Sequence, residues 1–460
     1  MSTSSHPPLP HVSPLADGLT ARTFTPALDA EGSPDERTAA FHRAVTAGFY
    51  EASPSDERVR AEEKALAEDG QRTTGVYVDP DAAALEHWGE AYERLGFGPE
   101  HPVGTFVDFD KTLNAGGPDL VDAFLITGVT VDASFRRRGI LKHLMTSRLA
   151  AAVEDGKPLA LLTASEGSIY GRFGFGPVTR EQEALINVSA AGEAFGLRSE
   201  PSGRVLSADP AKLGDVIDEV FEAHHAVTRG SVGRQPHYRR YGTGQWDPDD
   251  ITTRWRKARA VLHVKDDGSI GGYAVFTFNG WTEEPFTMKI GDLIAVDAES
   301  EIELIRHLSG MDLVERLSWS RAPAEDPLRW ALVNPRARRA ERESDVLWAR
   351  ILDVPKALEG RAWGADGEFA LEVADPLGIA PGSWRVVVRD GSAQVTAAQG
   401  GAASAPLLRT DVETLSTMYL GDVSVRTMHA AGRADADPAD LDRLSAVIDL
   451  ATPPYSATHF

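Results

Sequence analysis

A turn rich in arginine and glycine is the feature of this sequence with the clearest chemical use. The segment VTVDASFRRRGILKHLM, residues 129–145, places three arginines at 136–138 directly before Gly139. A helix N-terminus presents unpaired N–H groups and a partial positive charge, and glycine lets a ligand approach the backbone closely. Arginines beside it add charge-assisted hydrogen bonds. Residues 137–142 therefore predict a pyrophosphate site, with a solvated basic loop as the alternative.

The turn follows neither of the two common phosphate-binding patterns. The segment has no GxxxxGK[ST] sequence of the Walker type and no GxGxxG spacing of the dinucleotide-binding type. The chain around it is acidic, with 47 Lys and Arg against 69 Asp and Glu and a formal net charge of −22. Such a field repels nucleic acid and anionic lipid and attracts cations such as amines. We therefore expect a cationic partner and no nucleic-acid partner.

Regular elements on both sides of the turn must hold it in place. Strand-like residues lead into it up to position 131, and apolar side chains recur at helix spacing from position 140 to position 149. A short apolar run at 159–163 suits a buried strand, and 167–173 has the length of one or two helical turns. The order strand, basic turn, helix, strand, short helix is typical of an α/β domain.

Length and composition bound the rest of the interpretation. A chain of 460 residues is too long for one ordinary core and predicts two to four domains. No apolar run approaches the roughly 20 residues that cross a bilayer, and residues 1–14 lack the pattern of a signal peptide. We expect a cytoplasmic protein without membrane insertion. The absence of cysteine excludes disulfides and thiolate metal sites, and the pair His224 and His225 lacks spaced partner ligands, so no metal is expected.

Changes in residue pattern divide the chain into four regions. Residues 1–34, rich in Pro, Ser and Thr, predict a flexible leader. Residues 35–189 form the predicted α/β domain that carries the basic turn. Residues 190–343 predict a second α/β unit, and residues 344–460, with strand and helix patterns separated by glycine-rich turns, predict an α+β domain.

The second unit repeats part of the first. The segment DLIAVDAESEIELIRHL, residues 292–308, matches the first segment at Val-Asp-Ala and at a basic-His-Leu triplet. Between these anchors the first copy has arginines and glycine, whereas the second has Glu299, Glu301 and Glu303. The pattern favours a duplicated α/β unit whose second copy has lost its anion site. Chance similarity over so few positions is the alternative.

These motifs resemble a known family. Arg136 and Gly139 match the first two fixed positions of R/Q-x-x-G-x-G/A, the acetyl-CoA motif of the GNAT acetyltransferases, whereas Leu141 departs from the third. Together with ASEGSIYGRFGFGP at 164–177, LWARILDVPKALEGR from Leu347 and a terminal phenylalanine, RRRGIL resembles the Eis (enhanced intracellular survival) group of N-acetyltransferases over nearly the whole chain beyond the leader.

The resemblance implies an architecture, an activity and an assembly. The fold would be tandem α/β GNAT-like domains, the second degenerate, followed by an α+β domain similar to sterol carrier protein. The group acetylates aminoglycosides at several amines and also protein lysines, and forms hexamers that are dimers of trimers. The resemblance therefore predicts an acetyl-CoA-dependent N-acetyltransferase that acts on cationic amines, with aminoglycosides as the first expected acceptors, and a homohexamer.

The family pattern also assigns acetyl-CoA contacts to residues of this chain. The pantetheine arm would run along the backbone of one strand, the pyrophosphate would lie in the turn, and two residues after the next strand would contact the cofactor from its other side. The implied residues are Val129, Thr130, Val131, Arg137, Arg138, Gly139, Ile140, Leu141, Lys142, Ser165 and Glu166. Core packing alone is the alternative for the strand residues.

Two residues are implied as the acid and the base. Tyr170 would protonate the leaving thiolate, and its reference pKa of about 10 suits this role only at close range. A tyrosine covering the sheet edge is the alternative. The base implied by the family is the terminal carboxylate of Phe460. An α-carboxyl is a weak base in water, and burial would improve its match to an amine.

The acceptor is the least determined part of the interpretation. Glu51, beside two aromatic residues, is a candidate for binding a cationic substrate. Protein lysines or polyamines are alternative acceptors, since variable loops build acceptor pockets. A lipid carrier acting through the C-terminal domain and a protein that only senses acetyl-CoA are the non-enzymatic alternatives.

Overall fold

The computed structural model describes residues 11–79, 89–189, 195–398 and 405–460. Three β-sheets with flanking helices make up these residues. Within them, no helix combines the length and the apolar composition needed to span a bilayer.

The secondary structure follows the chain in three groups. The first group is β1 (Leu19–Phe24), α1 (Glu36–Gly48), α2 (Asp56–Glu68), β2 (Arg72–Val78), α3 (Gly89–Arg94), β3 (Gly104–Leu113), β4 (Val121–Val131), α4 (Ile140–Glu154), β5 (Leu159–Thr163), α5 (Gly167–Tyr170) and β6 (Gly176–Pro177). The second is β7 (Arg180–Asn187), β8 (Arg204–Ala208), α6 (Gly214–Val227), α7 (His237–Gly242), β9 (Arg259–Val264), β10 (Ile270–Phe278), β11 (Thr287–Ala295), α8 (Ala298–Ser309), β12 (Arg316–Pro323), α9 (Leu328–Ala331) and β13 (Arg338–Asp345). The third is β14 (Leu347–Ile351), α10 (Val354–Glu359), β15 (Gly367–Ala374), β16 (Gly382–Arg389), β17 (Ser392–Ala397), β18 (Leu407–Asp411), α11 (Val412–Met418), α12 (Val425–Ala430), β19 (Ala434–Asp435) and α13 (Leu441–Ile448).

Strands of one sheet do not all come from one continuous part of the chain. Their strand orders are β1-β2-β3-β4-β5-β14-β6, β13-β7-β12-β11-β10-β9-β8 and β17-β16-β15-β18-β19. Strand β7, inside the range 35–189, pairs with β12 and β13 of the second sheet, and β14, inside 344–460, pairs with β5 of the first. The domain ranges 35–189, 190–343 and 344–460 stay a prediction. Strands β7 and β14 each belong to a sheet built mainly from another of these ranges.

The flexible-leader expectation for 1–34 does not describe residues 19–24. Strand β1 pairs antiparallel with β2 over its whole length, from Leu19 opposite Val78 to Phe24 opposite Thr73. The Ser13 N–H donates to the Thr146 hydroxyl on α4 at 3.0 Å. Edge-strand hydrogen bonds order this segment although its composition is polar. Residues 1–10 of the predicted leader lie outside the described residues.

The predicted duplication is visible in the topology. Strand β4, helix α4 and strand β5 form one unit with parallel pairing from Ala123–Leu159 to Ile126–Leu162. Strand β11, helix α8 and strand β12 repeat it, with parallel pairing from Thr287–Arg316 to Ile290–Trp319. Both units place a helix over the sheet between two parallel strands, the connection that parallel pairing requires.

Candidate active site

A cleft of about 980 Å³ opens beside the predicted anion site. We call it the main cleft. It lies between the outer part of β4, the turn after α1, the start of α4 and the short helix α5. Its lining residues are Gly48, Phe49, Tyr50, Val129, Thr130, Val131, Phe135, Arg136, Arg137, Gly139, Ile140, Leu141, Lys142, Ser165, Glu166, Ile169, Tyr170, Arg172, Phe173, Pro376 and Leu377.

The main cleft exists because β4 and β5 separate. Their parallel pairing ends at Ile126 and Leu162. Strand β4 continues to Val131, and over this part its described strand partner is β3, on the other side. The β5-facing edge of residues 127–131 therefore carries backbone groups without a strand partner. Such an edge accepts an extended, amide-containing ligand by adding hydrogen bonds like those of another strand. Val129, Thr130 and Val131 all line the cleft at this edge.

The start of α4 is open to an anion. Gly139 is the N-cap, with φ +79°, and no side chain caps the helix. A Cβ atom at this position would be strained by the backbone conformation, although the space around it is open, with Pro14 O at 3.8 Å the one contact. Arg137 also has a positive φ of 64°, which folds the turn tightly against the helix end. First-turn N–H groups, Lys142 and Arg137 thus face the same cleft.

The three arginines of the turn have different surroundings. Arg136 donates from Nη2 to the Tyr50 hydroxyl at 3.2 Å, and this bond ties the turn to the loop after α1. The Arg138 guanidinium stacks 5.1 Å from the centre of the Phe135 ring, and Arg138 is not one of the lining residues. Arg137 is therefore the arginine of the predicted pair that the structure brings into the main cleft.

Tyr170 enters the main cleft from α5. The side chain is 7% exposed and its ring packs edge-on against Phe175, with ring centres 6.3 Å apart. Burial, with a smaller effect of the Glu166 carboxylate, raises the pKa of Tyr170 above 10, so the hydroxyl keeps its proton at neutral pH. Glu166 and Ser165, also predicted as cofactor contacts, lie between β5 and α5 and line the cleft, with the Ser168 hydroxyl donating to Glu166 at 3.0 Å.

The C-terminal residues cross from the second sheet to the first. The Thr458 hydroxyl donates to Val232 O at 2.9 Å. The Tyr238 hydroxyl accepts from His459 N at 2.6 Å and donates to His459 O at 3.1 Å. The His459 ring also pairs with Glu181, 2.8 Å from Nε2 to Oε2. These contacts fix the chain immediately before Phe460.

Phe460 itself lies against the first sheet. Its ring meets Phe109 edge-on, with ring centres 5.7 Å apart. The Thr163 hydroxyl, at the end of β5, donates to its terminal carboxylate. Phe460 is not one of the residues lining the main cleft, but Thr163 is separated from Ser165 of that lining by one residue. The tail is thus held in place rather than frayed.

The third domain closes one side of the main cleft, which the sequence did not indicate. Asp375 accepts hydrogen bonds from the N–H groups of Leu377, Ile379 and Ala380 and forms a fully buried ion pair with Arg350, 2.7 Å from Oδ2 to Nη2. Arg350 also donates to the carbonyl of Phe173. The buried pair therefore joins the loop containing Pro376 and Leu377 to the cleft wall, and a buried ion pair that loses one partner is strongly destabilising.

The loop after α1 supplies further residues that the sequence did not single out. Tyr50, with φ 60° and a side chain 80% exposed, and Phe49 line the main cleft. Glu51, the predicted acceptor contact, is exposed and does not belong to the lining. Its neighbours turn toward the cleft instead, and the positive φ of Tyr50 is a backbone signal that residue types alone do not reveal.

A buried histidine holds α1 and α2 together behind this loop. His42 contacts Glu63 from Nδ1 and Glu62 from Nε2, each at 2.8 Å. Burial alone would lower the pKa of His42, but the two carboxylates outweigh it and raise that pKa to about 9. The imidazolium is therefore the form present at neutral pH, and it bridges the carboxylates of Glu62 and Glu63.

The free energy of unfolding should fall as pH rises through this pKa. The contribution of His42 to the free energy of unfolding is fully present below pH 6.5, the pKa of the unfolded state. It is lost as the pH rises toward about 9, the pKa in the folded state, and this shift corresponds to at most about 3 kcal/mol. Denaturant titrations at pH 6 and pH 9.5, on wild type and His42→Gln, measure it. We expect wild type to exceed the variant clearly at pH 6 and much less at pH 9.5. A pH-independent difference would contradict the assignment.

The second copy lacks the open helix start. Asp297 caps α8, its side chain accepting from Ser300 N at 2.8 Å. Glu303, 2% exposed, accepts two hydrogen bonds from Arg306, each at 2.6 Å. The Ser300 N–H in the first turn of α8 thus already has a carboxylate partner, and Glu299 and Glu301 add negative charge to that turn. His224 and His225, expected as helix residues, lie in α6 and bond to Ala295 O and Ser231 Oγ.

Comparison with known proteins shows the family. Family models described as acetyltransferase (GNAT) domains match residues 37–178 and 230–351, and a sterol carrier protein domain model matches 354–457. A protein of Streptomyces griseus described as an uncharacterized N-acetyltransferase is 34% identical over 428 residues, covering 92% of this chain and 94% of that protein. The N-acetyltransferase Eis of Mycobacterium tuberculosis is 29% identical over 389 residues, 81% of this chain and 89% of its own.

The fold agrees with that assignment. The crystal structure of Eis1 from Mycobacterium abscessus superimposes with a TM-score of 0.74 at 24% identity, covering 96% of this chain and all of that one. A GCN5-related N-acetyltransferase from Anabaena variabilis gives 0.73 at 16% identity with the same coverage. The expectation of two GNAT domains followed by a sterol-carrier-like domain is confirmed. The chain belongs to the Eis family of GNAT N-acetyltransferases.

Proposed function

We propose that this protein transfers the acetyl group of acetyl-CoA to amines of cationic acceptors, with aminoglycosides as the first class to test. The observation that carries the proposal is one cleft that combines an open strand edge, an uncapped helix start and the hydroxyl of Tyr170. An N-acetyltransferase of the GNAT type needs these three features to hold a thioester arm, a pyrophosphate and a leaving thiolate.

The lining residues fit acetyl-CoA. The free edge of residues 127–131 suits the amide-containing arm, and the N–H groups after Gly139 with Arg137 and Lys142 suit the pyrophosphate. When bound, the cosubstrate supplies an activated acetyl thioester. Ser165 and Glu166 line the opposite side of the same cleft. Arg138 contributes indirectly, because its guanidinium stacks on the ring of Phe135, which lines the cleft.

The proton transfers are assigned to Tyr170 and to the tail. The Phe460 carboxylate takes a proton from the acceptor ammonium, whose nitrogen then attacks the thioester carbon directly. Tyr170 donates its phenolic proton to the departing sulfur as the C–S bond breaks, and the second proton that the nitrogen loses as the amide forms restores the phenol. The raised pKa of Tyr170 keeps its proton in place at neutral pH before the transfer. The Thr163 hydroxyl bonded to the carboxylate and the clamp around His459 support the base assignment by holding the charge in one place.

The acceptor class is supported by charge. The chain has a net charge of −22, which draws polycationic amines toward it and is consistent with aminoglycosides, polyamines or protein lysines. A lipid carrier acting through the C-terminal domain is disfavoured. The cavity described in that domain, lined by residues such as Trp363 and Leu415, has about 10 Å³, room for about one water.

Thiol release from acetyl-CoA, followed with a panel of aminoglycosides, polyamines and a lysine-containing peptide, tests the proposal. We expect turnover with polycationic acceptors and products acetylated at amines by mass spectrometry. Turnover with polyamines or peptides alone would reassign the acceptor. Acetyl-CoA binding without turnover on any amine would leave only a sensing role.

Acetyl-CoA affinity should depend on the basic turn. Arg137→Ala combined with Arg138→Ala removes two cations, and charge-assisted hydrogen bonds contribute roughly 1.5–3 kcal/mol each. We expect Arg137→Ala alone to carry most of the loss, because Arg138 stacks on Phe135 outside the lining. Isothermal titration calorimetry measures both the affinity and the number of sites.

A matched control removes two arginines elsewhere. Arg60 and Arg336 are exposed and form no ion pair among the described residues, so their joint replacement by alanine should leave the affinity unchanged. Glu303 is unsuitable for such a control because it is buried against Arg306. A stoichiometry of two acetyl-CoA molecules per chain would contradict the loss of the site in the second copy.

The compartment and the assembly are the remaining parts of the proposal. We propose a cytoplasmic homohexamer, a dimer of trimers, on the strength of the family likeness and the absence of cysteine. Mass photometry at nanomolar and micromolar concentration measures the assembly. A monomer across that range would contradict it.

A further inference from the structure

A second cleft, of about 440 Å³, lies in the second sheet far along the chain from the basic turn. It lies on the face of the sheet that α8 covers, and Met311, two residues after the C-terminal end of α8, is part of its lining. Phe276, Phe278 and Met288 form its floor with Met311 at the side. We call it the α8 cleft. Methionine and phenylalanine side chains make such a floor adaptable and strongly apolar.

A run of cations in the sequence includes two residues that line the α8 cleft. Arg254, Arg256, Lys257 and Arg259 fall within six residues of a chain whose net charge is −22. All four side chains are exposed, and none forms an ion pair in the part of the chain that the structure describes. Lys257 and Arg259 belong to the lining, and Arg259 lies directly opposite Phe276 across the β9–β10 pair.

Unpaired cations over an apolar floor define the chemistry of a ligand. We propose that the α8 cleft binds a long-chain fatty acid, with its carboxylate at Lys257 and Arg259 and its acyl chain on the phenylalanine and methionine floor. Burial of the chain contributes through apolar area, and the carboxylate gains charge-assisted hydrogen bonds that an uncharged ligand lacks. The volume lies in the range of small-molecule sites.

Two observations separate this ligand from the obvious alternatives. None of the lining residues lies in the first turn of a helix, so the backbone offers no pyrophosphate site like that at Gly139. The cavity described in the sterol-carrier-like domain is about 10 Å³, too small for an acyl chain. Of these two described cavities, the α8 cleft is the one with room for an acyl chain.

Binding of 11-(dansylamino)undecanoic acid to the full-length protein, followed by fluorescence, tests the proposal. We expect one saturable site per chain, competition by palmitate, and at least about tenfold weaker competition by methyl palmitate, which keeps the chain and loses the charge. Saturating acetyl-CoA should not displace the probe. Displacement by acetyl-CoA would place the probe in the main cleft and overturn the assignment.

Variants locate the site. Lys257→Glu with Arg259→Glu should weaken palmitate at least about tenfold, and Ser207→Trp, an exposed lining residue on edge strand β8, should fill the cleft and abolish probe binding. Arg60→Glu with Lys64→Glu makes the same charge change on the exposed side of α2 and should have no effect. Unfolding midpoints equal to wild type show that each variant folds.

Other occupants give distinct results. Absence of saturable fatty-acid binding, or binding unchanged in both α8-cleft variants, overturns the proposal. If Lys257→Glu with Arg259→Glu changes the oligomeric state, and neither this variant nor the wild type binds palmitate, the α8 cleft is a contact between copies of the chain. If it abolishes sedimentation with phosphatidylglycerol vesicles under the same conditions, the cations serve an anionic membrane surface instead.

Discussion

Tyr170→Phe should lower kcat by about 10²–10⁴-fold while acetyl-CoA affinity and the unfolding midpoint stay at wild-type values. The substitution keeps the ring, and with it the edge-on contact to Phe175 and the packing of a side chain that is 7% exposed. Only the hydroxyl is lost, and no hydrogen bond to that hydroxyl is described within the residues that the structure covers. A structural role for it would therefore leave little trace on stability.

Rapid-quench measurement of the acetyl-transfer step tests this, because product release limits kcat in many enzymes. Acetyl donors whose leaving group is a more acidic thiol offer a second readout, since a less basic thiolate needs less protonation. Thioester analogues of that kind should recover part of the loss in the variant. An unchanged rate of the chemical step would return Tyr170 to a packing role beside Phe173 and Phe175.

Much of the candidate site could be predicted from patterns in short sequence segments. Helix spacing after Gly139, the apolar run of β5 and the arginine–glycine turn are all features of short segments. The structure brings residues of the turn, of the start of α4 and of the segment just after β5 to one cleft. Of the predicted cofactor contacts, Arg138 is the one that the structure turns away, because the Phe135 ring offers its guanidinium a stacking surface. Chain spacing gives no sign of which arginine in a run of three will stack.

Contacts between distant segments could not be predicted in the same way. Strand β14 inserts between β5 and β6, and β7 joins the second sheet, although each continues the pattern of its own range. The loop at Pro376 is joined to the wall of the main cleft by the ion pair of Asp375 with the buried Arg350, which are 25 residues apart. The periodicity of hydrophobic residues identifies a strand but not its partner strand. Pairing between strands that are distant in the sequence is set by tertiary packing.

The family resemblance supplied the roles of Ser165, Glu166 and Tyr170, and also that of the terminal carboxylate of Phe460, which no local pattern supports. Chain ends normally fray, and the sequence THF contains no signal of order. What the structure adds is a physical reason for order. Tyr238 bonds both sides of the His459 peptide, Glu181 holds its ring, and Thr163 bonds the carboxylate itself. Residues of two sheets therefore fix one terminal charge.

Removing that charge should abolish turnover. Amidation of Phe460 by semisynthesis leaves the ring on Phe109 and the His459 clamp intact, and removes only the anion that would accept the acceptor's proton. We expect kcat to fall to background with acetyl-CoA affinity and the unfolding midpoint unchanged. Addition of one glycine after Phe460 should act alike, because it moves the charge by about 3–4 Å and proton transfer needs heavy atoms within about 2.6–3.2 Å or one bridging water.

A matched variant separates loss of the base from loss of its position. Tyr238→Phe keeps the charge at Phe460 and removes the hydroxyl that bonds both sides of His459, so the carboxylate becomes mobile. We expect an intermediate fall in kcat, smaller than on amidation, because a mobile carboxylate still visits the productive position. If the amidated or extended protein keeps full activity, the base lies among Asp or Glu side chains. If amidation abolishes turnover and Tyr238→Phe has no effect, the base assignment stands and the remaining contacts, Glu181 to His459 and Thr163 to the carboxylate, suffice to position it.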